Sequence, residues 1–215
     1  MDPYLRRRLA AVTTAHVADA CVRAAVRVRF GPAGTRPVVP GTRLAGPVFP
    51  VRHAGSAHVL LEAFDAAAPG DVLVVDNGGR LDEACVGDLM AAEARDAGLA
   101  GIVIWGLHRD TAEVRAIGLP LFSLGAIPCR STRTATRPPD ALAAATIGDW
   151  TVTREDVVLA DDDGVLFVPS ARLAEVVVAA EEVRAAERRQ ADRILTGHPL
   201  RDRVRFGAHL ALRAD

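Results

Sequence analysis

The sequence predicts a single mixed α/β domain, with antiparallel hairpins beside an α/β core and a long C-terminal helix. Three observations carry that prediction. Residues 72–75 form a continuous apolar run between turn signals, the mark of a strand buried on both faces. Residues 84–105 then read as an αβ unit: a tight entry at Gly87-Asp88, a small-residue helix, and the apolar run Gly101-Ile102-Val103-Ile104-Trp105. Finally, residues 157–160 and 165–168 flank Asp161-Asp162-Asp163-Gly164, a hairpin turn between two strands.

Taken in order, residues 5–25 read as helical, with Thr13 or Thr14 as a cap or break and Val12, Val17, Ala18 and Cys21 facing inward. Residues 32–40 are a Gly/Pro-rich connection. Residues 44–51 suit a strand, and Pro47 and Pro50 within it suggest an edge or bulged position. Residues 58–68 form a short helix ended by Pro69-Gly70, and Asp76-Asn77-Gly78-Gly79 turns the chain after the 72–75 strand. After the αβ unit come a short helix or turn at 111–117, a strand at 121–124 and a Thr/Arg/Pro-rich loop at 132–142. Residues 146–152 read as a hairpin strand. Ser170 is placed to cap a helix over 171–195, stopped by Gly197-His198-Pro199. No internal repeat or low-complexity linker interrupts residues 1–215.

Composition restricts chemistry more than it suggests it. A chain of 215 residues with 50% hydrophobic content can bury a substantial core. No run is long enough to span a membrane, and Arg6-Arg7-Arg8 is not followed by the apolar region of a signal peptide, so a cytoplasmic protein is expected. A formal net charge of -1 argues against general nucleic-acid binding. Cys21, Cys85 and Cys129 are too widely separated for metal-ligand spacing and read as small packing residues or surface thiols. The chain contains no lysine, so Schiff-base and pyridoxal mechanisms, which need a lysine amine, are excluded.

The chemistry-bearing stretch is Gly87-Asp88-Leu89-Met90 with Arg109-Asp110. Asp88 suits an N-cap, and a helix start offers oriented amides to an anion. Arg109 and Asp110 follow the next apolar run, where a loop can approach that helix start. Asp88, twenty intervening residues and Arg109-Asp110 resemble the D-X20-R-D motif of the class II, metal-dependent pyruvate aldolases. That RraA-like family includes the 4-hydroxy-4-methyl-2-oxoglutarate aldolases and the proteins named for regulator of ribonuclease activity A. The resemblance extends over residues 13–20, 70–76, 118–122 and 160–169, in the family's order. It implies the swivelling β/β/α fold of phosphohistidine-type domains.

The resemblance also implies roles. Asp88 would orient the water that gives and takes protons. Gly87, Asp88 and the amides of Leu89 and Met90, with Arg109, would hold the substrate carboxylate. Asp110 would bind a divalent metal, Mg2+ or Mn2+. The C-terminal helix, residues 170–197, would pack on a neighbouring subunit of a trimer or hexamer and contribute an acid to its metal water shell. Glu187 is the best match for that acid and Glu182 the second. Independently of any family, a guanidinium at a strand end can grip a 2-oxo acid bidentately, and magnesium commonly takes only one or two carboxylates.

Simpler roles stand beside these. The helix over 171–195 has an apolar side at Val176, Val177, Ala180, Val183, Ala186 and Ala191, and its charged side suits solvent. Asp161, Asp162 and Asp163 lack EF-hand spacing and read as a solvated turn. His108 reads as a loop histidine. Asp76-Asn77-Gly78-Gly79, at a strand's C-terminal end, is a candidate pocket wall without a chemical role. The expected activity is cleavage of a 4-hydroxy-2-oxo acid to pyruvate and a carbonyl product, with oxaloacetate decarboxylation at the same site. The alternative is a non-catalytic protein-binding regulator of ribonuclease activity.

Overall fold

Every second residue of the main sheet faces a different core, and that alternation builds the molecule in layers. The computed structural model describes residues 1–53, 55, 58–132 and 136–203. Helices α1 (Pro3–Ala10) and α2 (Thr14–Arg23) precede the short strands β1 (Arg29–Phe30) and β2 (Arg36–Pro37) and the long β3 (Leu44–Arg52). Then follow α3 (His58–Ala66), β4 (Val72–Asp76), β5 (Ala84–Val86), α4 (Asp88–Asp96), β6 (Gly101–Trp105), β7 (Leu107–His108), α5 (Thr111–Ile117) and β8 (Leu121–Ser123). Hairpins β9 (Ala145–Ile147)/β10 (Trp150–Val152) and β11 (Asp156–Asp161)/β12 (Gly164–Pro169) lead through a 3-10 turn, Ser170–Arg172, into α6 (Leu173–Leu195) and α7 (Leu200–Arg203).

The main sheet runs β1-β12-β11-β3-β4-β6-β8-β2. Its β3-β4-β6-β8 part is parallel and its β1-β12-β11 part antiparallel. On the parallel part Phe49, Val51, Leu73, Val75, Ile102, Ile104 and Leu121 face helices α3, α4 and α5. The alternate residues Val48, Val72, Val74, Val103 and Phe122 pack against Val158, Ala160, Val165 and Phe167 of β11 and β12, so the sheet curls onto itself around an inner core. The outward residues Val157, Leu159, Leu166 and Val168 take α1, α2 and α6. Each fully buried valine or leucine in these layers contributes roughly 1.5–3 kcal/mol. Helices α4 and α5 therefore lie on one outer layer, and α6 on the opposite one.

Several expectations change. The 5–25 helix is two helices, because Thr13 forms a capping box with His16: Thr13 Oγ1 accepts from the His16 amide and His16 Nδ1 from the Thr13 amide. Strand β3 is central, not an edge. Its residues Leu44–Pro47 pair only with β11 and Val48–Arg52 only with β4, so each half keeps one free side where a proline needs no partner. Ser170 does not cap α6; the 3-10 turn intervenes and the N-cap is Arg172, without a side-chain bond. Residues 146–152 are both strands of a tight hairpin rather than one. Of the loop expected at 132–142, residues 133–135 lie outside the described residues.

The three aspartates of the β11–β12 turn are not uniformly solvated. Asp161 is buried and accepts the Thr14 amide at 2.8 Å and the Thr14 hydroxyl at 2.6 Å, anchoring the start of α2. Asp162 receives the Gly41 amide. The α6 helix is tied down by a bidentate Arg8–Glu181 pair at 2.7 and 2.6 Å, which holds the Glu181 carboxyl below its ordinary range. Val183 is its last buried residue, and from residue 191 to 198 the chain is exposed. Among the described residues no helix is long and apolar enough to cross a membrane.

Candidate functional site

Two adjacent strand ends form the corner that the motif predicted. Strands β5 and β7 pair in parallel, Ala84 with Leu107 and Val86 with His108. Parallel pairing makes both chains leave at the same end, so Gly87-Asp88 and Arg109-Asp110 emerge side by side. The Arg109 amide donates to the Val86 carbonyl at 3.0 Å, extending that register.

The contacts within the corner are close. Arg109 Nε lies 3.1 Å from Asp110 Oδ2, with both side chains about one-third exposed. The same Oδ2 accepts the Asp88 amide at 3.4 Å. A Cβ on Gly87 would stand 2.5 Å from Asp110 Oδ2 and 3.0 Å from Arg109 Nε, so only glycine allows this approach. Asp110 itself has φ 58°, a left-handed conformation that costs a non-glycine residue on the order of 1–3 kcal/mol. It occupies the N-cap of α5 yet makes no side-chain cap bond; its carboxylate is turned to the corner instead.

Asp88 is not the N-cap of α4. That position is Gly87, and Asp88 is the first helical residue. Its Oδ1 accepts the Leu89 amide at 2.8 Å, which places a carboxylate on one of the amides implied for substrate. The α4 N-terminus thus already shows its affinity for a carboxylate, as its free donors and dipole require. The Leu89 side chain is 72% exposed, so what it offers the corner is its backbone.

His108 is not a loop residue. It ends β7, is 4% exposed, and has both ring nitrogens engaged: Nδ1 with Ser123 Oγ at 2.7 Å and Nε2 with Thr111 Oγ1 at 3.1 Å. Burial pushes its imidazole below the ordinary range, aided by the Arg115 charge and opposed by the Gly125 carbonyl and Asp110. The neutral ring is favoured. Sequence reasoning placed it in a loop because its partners lie on β8 and α5, which no local pattern joins to β7.

Glu187 is not brought to this corner within one chain. It sits on α6, in the layer opposite α4 and α5, and its Oε2 pairs with His16 Nε2 at 3.0 Å. Glu182 is exposed on the same helix. Among the described residues no group of three His, Cys, Asp or Glu is arranged to hold a metal. The carboxylates available are that of Asp110, which meets the Asp88 amide, and that of Asp88, whose Oδ1 rests on the Leu89 amide. That set fits a hard, largely hydrated cation such as magnesium and does not fit a closed zinc cage.

The remaining candidates serve structure. Asp76 accepts the Gly78 and Thr146 amides at 2.9 Å each, fixing the turn after β4 to the β9 strand. Asn77 Oδ1 meets His53 Nδ1 at 2.9 Å in a buried contact. Cys21 is buried, which pushes its thiol up and makes it unreactive, while Cys85 is half-buried and Cys129 exposed. A cleft of about 350 Å³ between α1, β3 and β11, bordered by Arg6, Leu9 and Arg43, shares no residue with the motif.

Comparison with known proteins agrees with the geometry. The family described as RraA-like: Aldolase/RraA matches residues 14–167, which include the whole motif. The chain belongs to the RraA-like family. An uncharacterized protein from Pseudomonas syringae pv. tomato shares the fold with TM-score 0.81 and 30% identity, covering 94% of this chain and 97% of that one. Streptomyces coelicolor RraAS2, described as an unusual member of the RNase ES inhibitor RraA protein family, has TM-score 0.79 and 28% identity over 89% of this chain and 98% of its own. Protein DlpA of Legionella pneumophila is 28% identical over 204 residues, 92% of this chain. The chain spans only 33% of DlpA's length. The RraA-like fold, with its curled mixed sheet and long C-terminal helix, is thus established for this sequence.

Proposed function

We propose that this RraA-like protein is a divalent-metal-dependent carbon–carbon lyase. It would cleave a short 4-hydroxy-2-oxo acid to pyruvate and a second carbonyl compound, and would decarboxylate oxaloacetate at the same site. The observation that carries the proposal is the strained, uncapped Asp110 held against Arg109 and Gly87 at the start of α4. Left-handed strain and an uncapped helix are retained for a carboxylate aimed elsewhere.

Each group has a task in that reaction. Asp110, with the second acid described below, would hold the Mg2+ or Mn2+, which supplies Lewis-acid polarisation of the 2-oxo group when bound. Arg109 makes no hydrogen bond through its Nη groups among the described residues, so its fork is available to the substrate oxygens and the charge that develops on them. The substrate carboxylate would take the Leu89 and Met90 amides, releasing Asp88 from Leu89 to orient a water that accepts the 4-hydroxyl proton as the C3–C4 bond breaks and returns a proton to the enolate carbon, which becomes pyruvate's methyl group. Oxaloacetate loses carbon dioxide to give the same enolate, so one electrophilic corner serves both reactions.

The second acid would be Glu187 of a neighbouring copy in a trimer or hexamer, with Glu182 the next choice. Its support is the length of α6 beyond its last buried residue and the placement of Glu187 on the layer opposite Asp110. The direct test is pyruvate release from oxaloacetate and short 4-hydroxy-2-oxo acids, with and without chelator. Activity restored by added Mg2+ or Mn2+ supports the proposal; full turnover in EDTA defeats it.

A second reading has its own support. No three-residue metal group forms within the described chain, and RraAS2 is described as belonging to a ribonuclease-inhibitor family. This chain would then act by protein–protein contact with a ribonuclease. A titration showing saturable inhibition of a ribonuclease, unchanged by chelator and by Arg109→Lys, would favour that reading.

A further inference from the structure

We propose that His108 is a positioning residue for the Arg109–Asp110 corner, its ring clamping the four-residue turn from the end of β7 to the start of α5. The inference rests on the lyase reading for its functional consequence, but its geometric content stands apart from it.

The hydrogen bonds tie down both ring nitrogens. Ser123 Oγ lies 2.7 Å from His108 Nδ1, accepts the Gly125 amide at 3.2 Å and lies 3.2 Å from the Gly125 carbonyl. His108 Nε2 shares a hydrogen with Thr111 Oγ1 at 3.1 Å. Either neutral tautomer keeps both contacts, because a hydroxyl can donate or accept at each end. Ser123, His108 and Thr111 thus form one continuous chain across the turn.

Its placement matters more than its completeness. The His108–Thr111 bond spans Arg109 and Asp110, closing the turn from outside the two residues. Asp110 would ordinarily secure such a helix start with its own carboxylate, and here it does not. The buried ring takes over the task of fixing the turn, which leaves the Asp110 carboxylate free for the corner while φ 58° is maintained. A 1 Å drift in such a corner is enough to lose rate on the order of a hundredfold.

Thr111 is the better residue to change, since it is only half-buried and valine matches its shape. Thr111→Val, Thr111→Ser, His108→Gln and His108→Asn would be compared with the unaltered protein in three measurements. These are amide hydrogen exchange, Mn2+ affinity by electron paramagnetic resonance, and kcat and KM on oxaloacetate. Glutamine reaches the Nε2 position and can accept from Thr111; asparagine reaches only Ser123. Exchange at the Arg109 amide, bonded to the Val86 carbonyl, and at the Val114 amide, bonded to the Asp110 carbonyl, should rise about tenfold in Thr111→Val and His108→Asn, with the rest of the chain unchanged. Mn2+ affinity and kcat should fall about tenfold in the same two variants, with KM little altered, while Thr111→Ser and His108→Gln stay within about threefold. Unchanged exchange at the Arg109 and Val114 amides in Thr111→Val overturns the clamp whatever the activity. Loosened exchange with undiminished Mn2+ affinity and kcat overturns its positioning role. An unaltered protein that neither binds Mn2+ nor turns over overturns the lyase reading, and with it that role, leaving exchange to decide the geometry.

Discussion

The carboxylate of Asp110 stands against the bare backbone of Gly87: a Cβ there would lie 2.5 Å from Oδ2. Replacing Gly87 with alanine must push Asp110 away, since the obstacle is a side chain already held by Arg109 and a strained backbone. Gly87→Ala should lower stability by no more than about 1 kcal/mol, because the atoms that must move are side-chain atoms with a third of their surface in solvent. It should lower lyase turnover on the order of a hundredfold. Thermal melts and pyruvate-release rates on the same preparation check both. Undiminished turnover would mean that the close approach serves packing alone.

Arg109→Lys separates charge from shape. The guanidinium is one-third exposed and contacts Asp110 through Nε alone, so its loss should barely move the melting temperature. A lysine ammonium keeps the charge and loses the planar fork. Turnover should fall about a hundredfold or more if Arg109 grips the substrate oxygens, as removal of an oriented donor does in other sites. Wild-type kinetics in this variant would place substrate recognition elsewhere.

Asp110→Gly tests why an aspartate tolerates the left-handed region. Glycine relieves the φ 58° strain but adds freedom to the unfolded chain, so stability should stay within about 1 kcal/mol of the unaltered protein. Metal-dependent turnover should disappear, and Asp110→Asn should behave likewise. A glycine variant that retained chelator-sensitive activity would remove Asp110 from the proposed metal site.

These residues show how far the sequence could be read. The corner was legible through the resemblance to the D-X20-R-D motif and the apolar run at 101–105, while the three- and two-residue strands β5 and β7 that build it are too short to carry a pattern of their own. The 72–75 run and the 157–168 hairpin were legible because their burial follows period and turn residues. What escaped was set by distant partners. Pro47 and Pro50 suggested an edge, and only the partner switch along β3 reconciles them with a central strand. Asp161 looked solvated until Thr14, 147 positions away, was seen to bind it. His108 had no local pattern because Ser123 and Thr111 meet it only after β7, β8 and α5 assemble.

Acid should loosen the tie between α1 and α6. The Arg8 hydrogen bonds hold Glu181 below its ordinary value of 4.5. A carboxyl depressed in the fold stabilises it above the unfolded value, and that contribution is lost as pH falls through the folded value. Melting temperature should therefore drop as pH falls below the ordinary value of 4.5, and part of that slope should vanish in Glu181→Gln. The contribution is modest because the pair is partly exposed to screening solvent. An identical slope in the glutamine variant would assign the acid sensitivity to other carboxylates.

Mixed oligomers can decide whether α6 completes a neighbour's site. If Asp110 of one copy works with Glu187 of the next, Asp110→Asn and Glu187→Gln should each abolish turnover when pure. Co-refolded at equal ratio, the two variants form some interfaces that join an intact Asp110 to an intact Glu187. Random assembly in a head-to-tail ring makes about a quarter of the sites whole, so activity should return to about that fraction. Should both acids act within one chain, or should Glu187 merely pair with His16 as seen here, mixing would restore nothing or Glu187→Gln would be active alone. Restoration that peaks for Glu182→Gln rather than Glu187→Gln would move the role to Glu182, nearer the start of the helix.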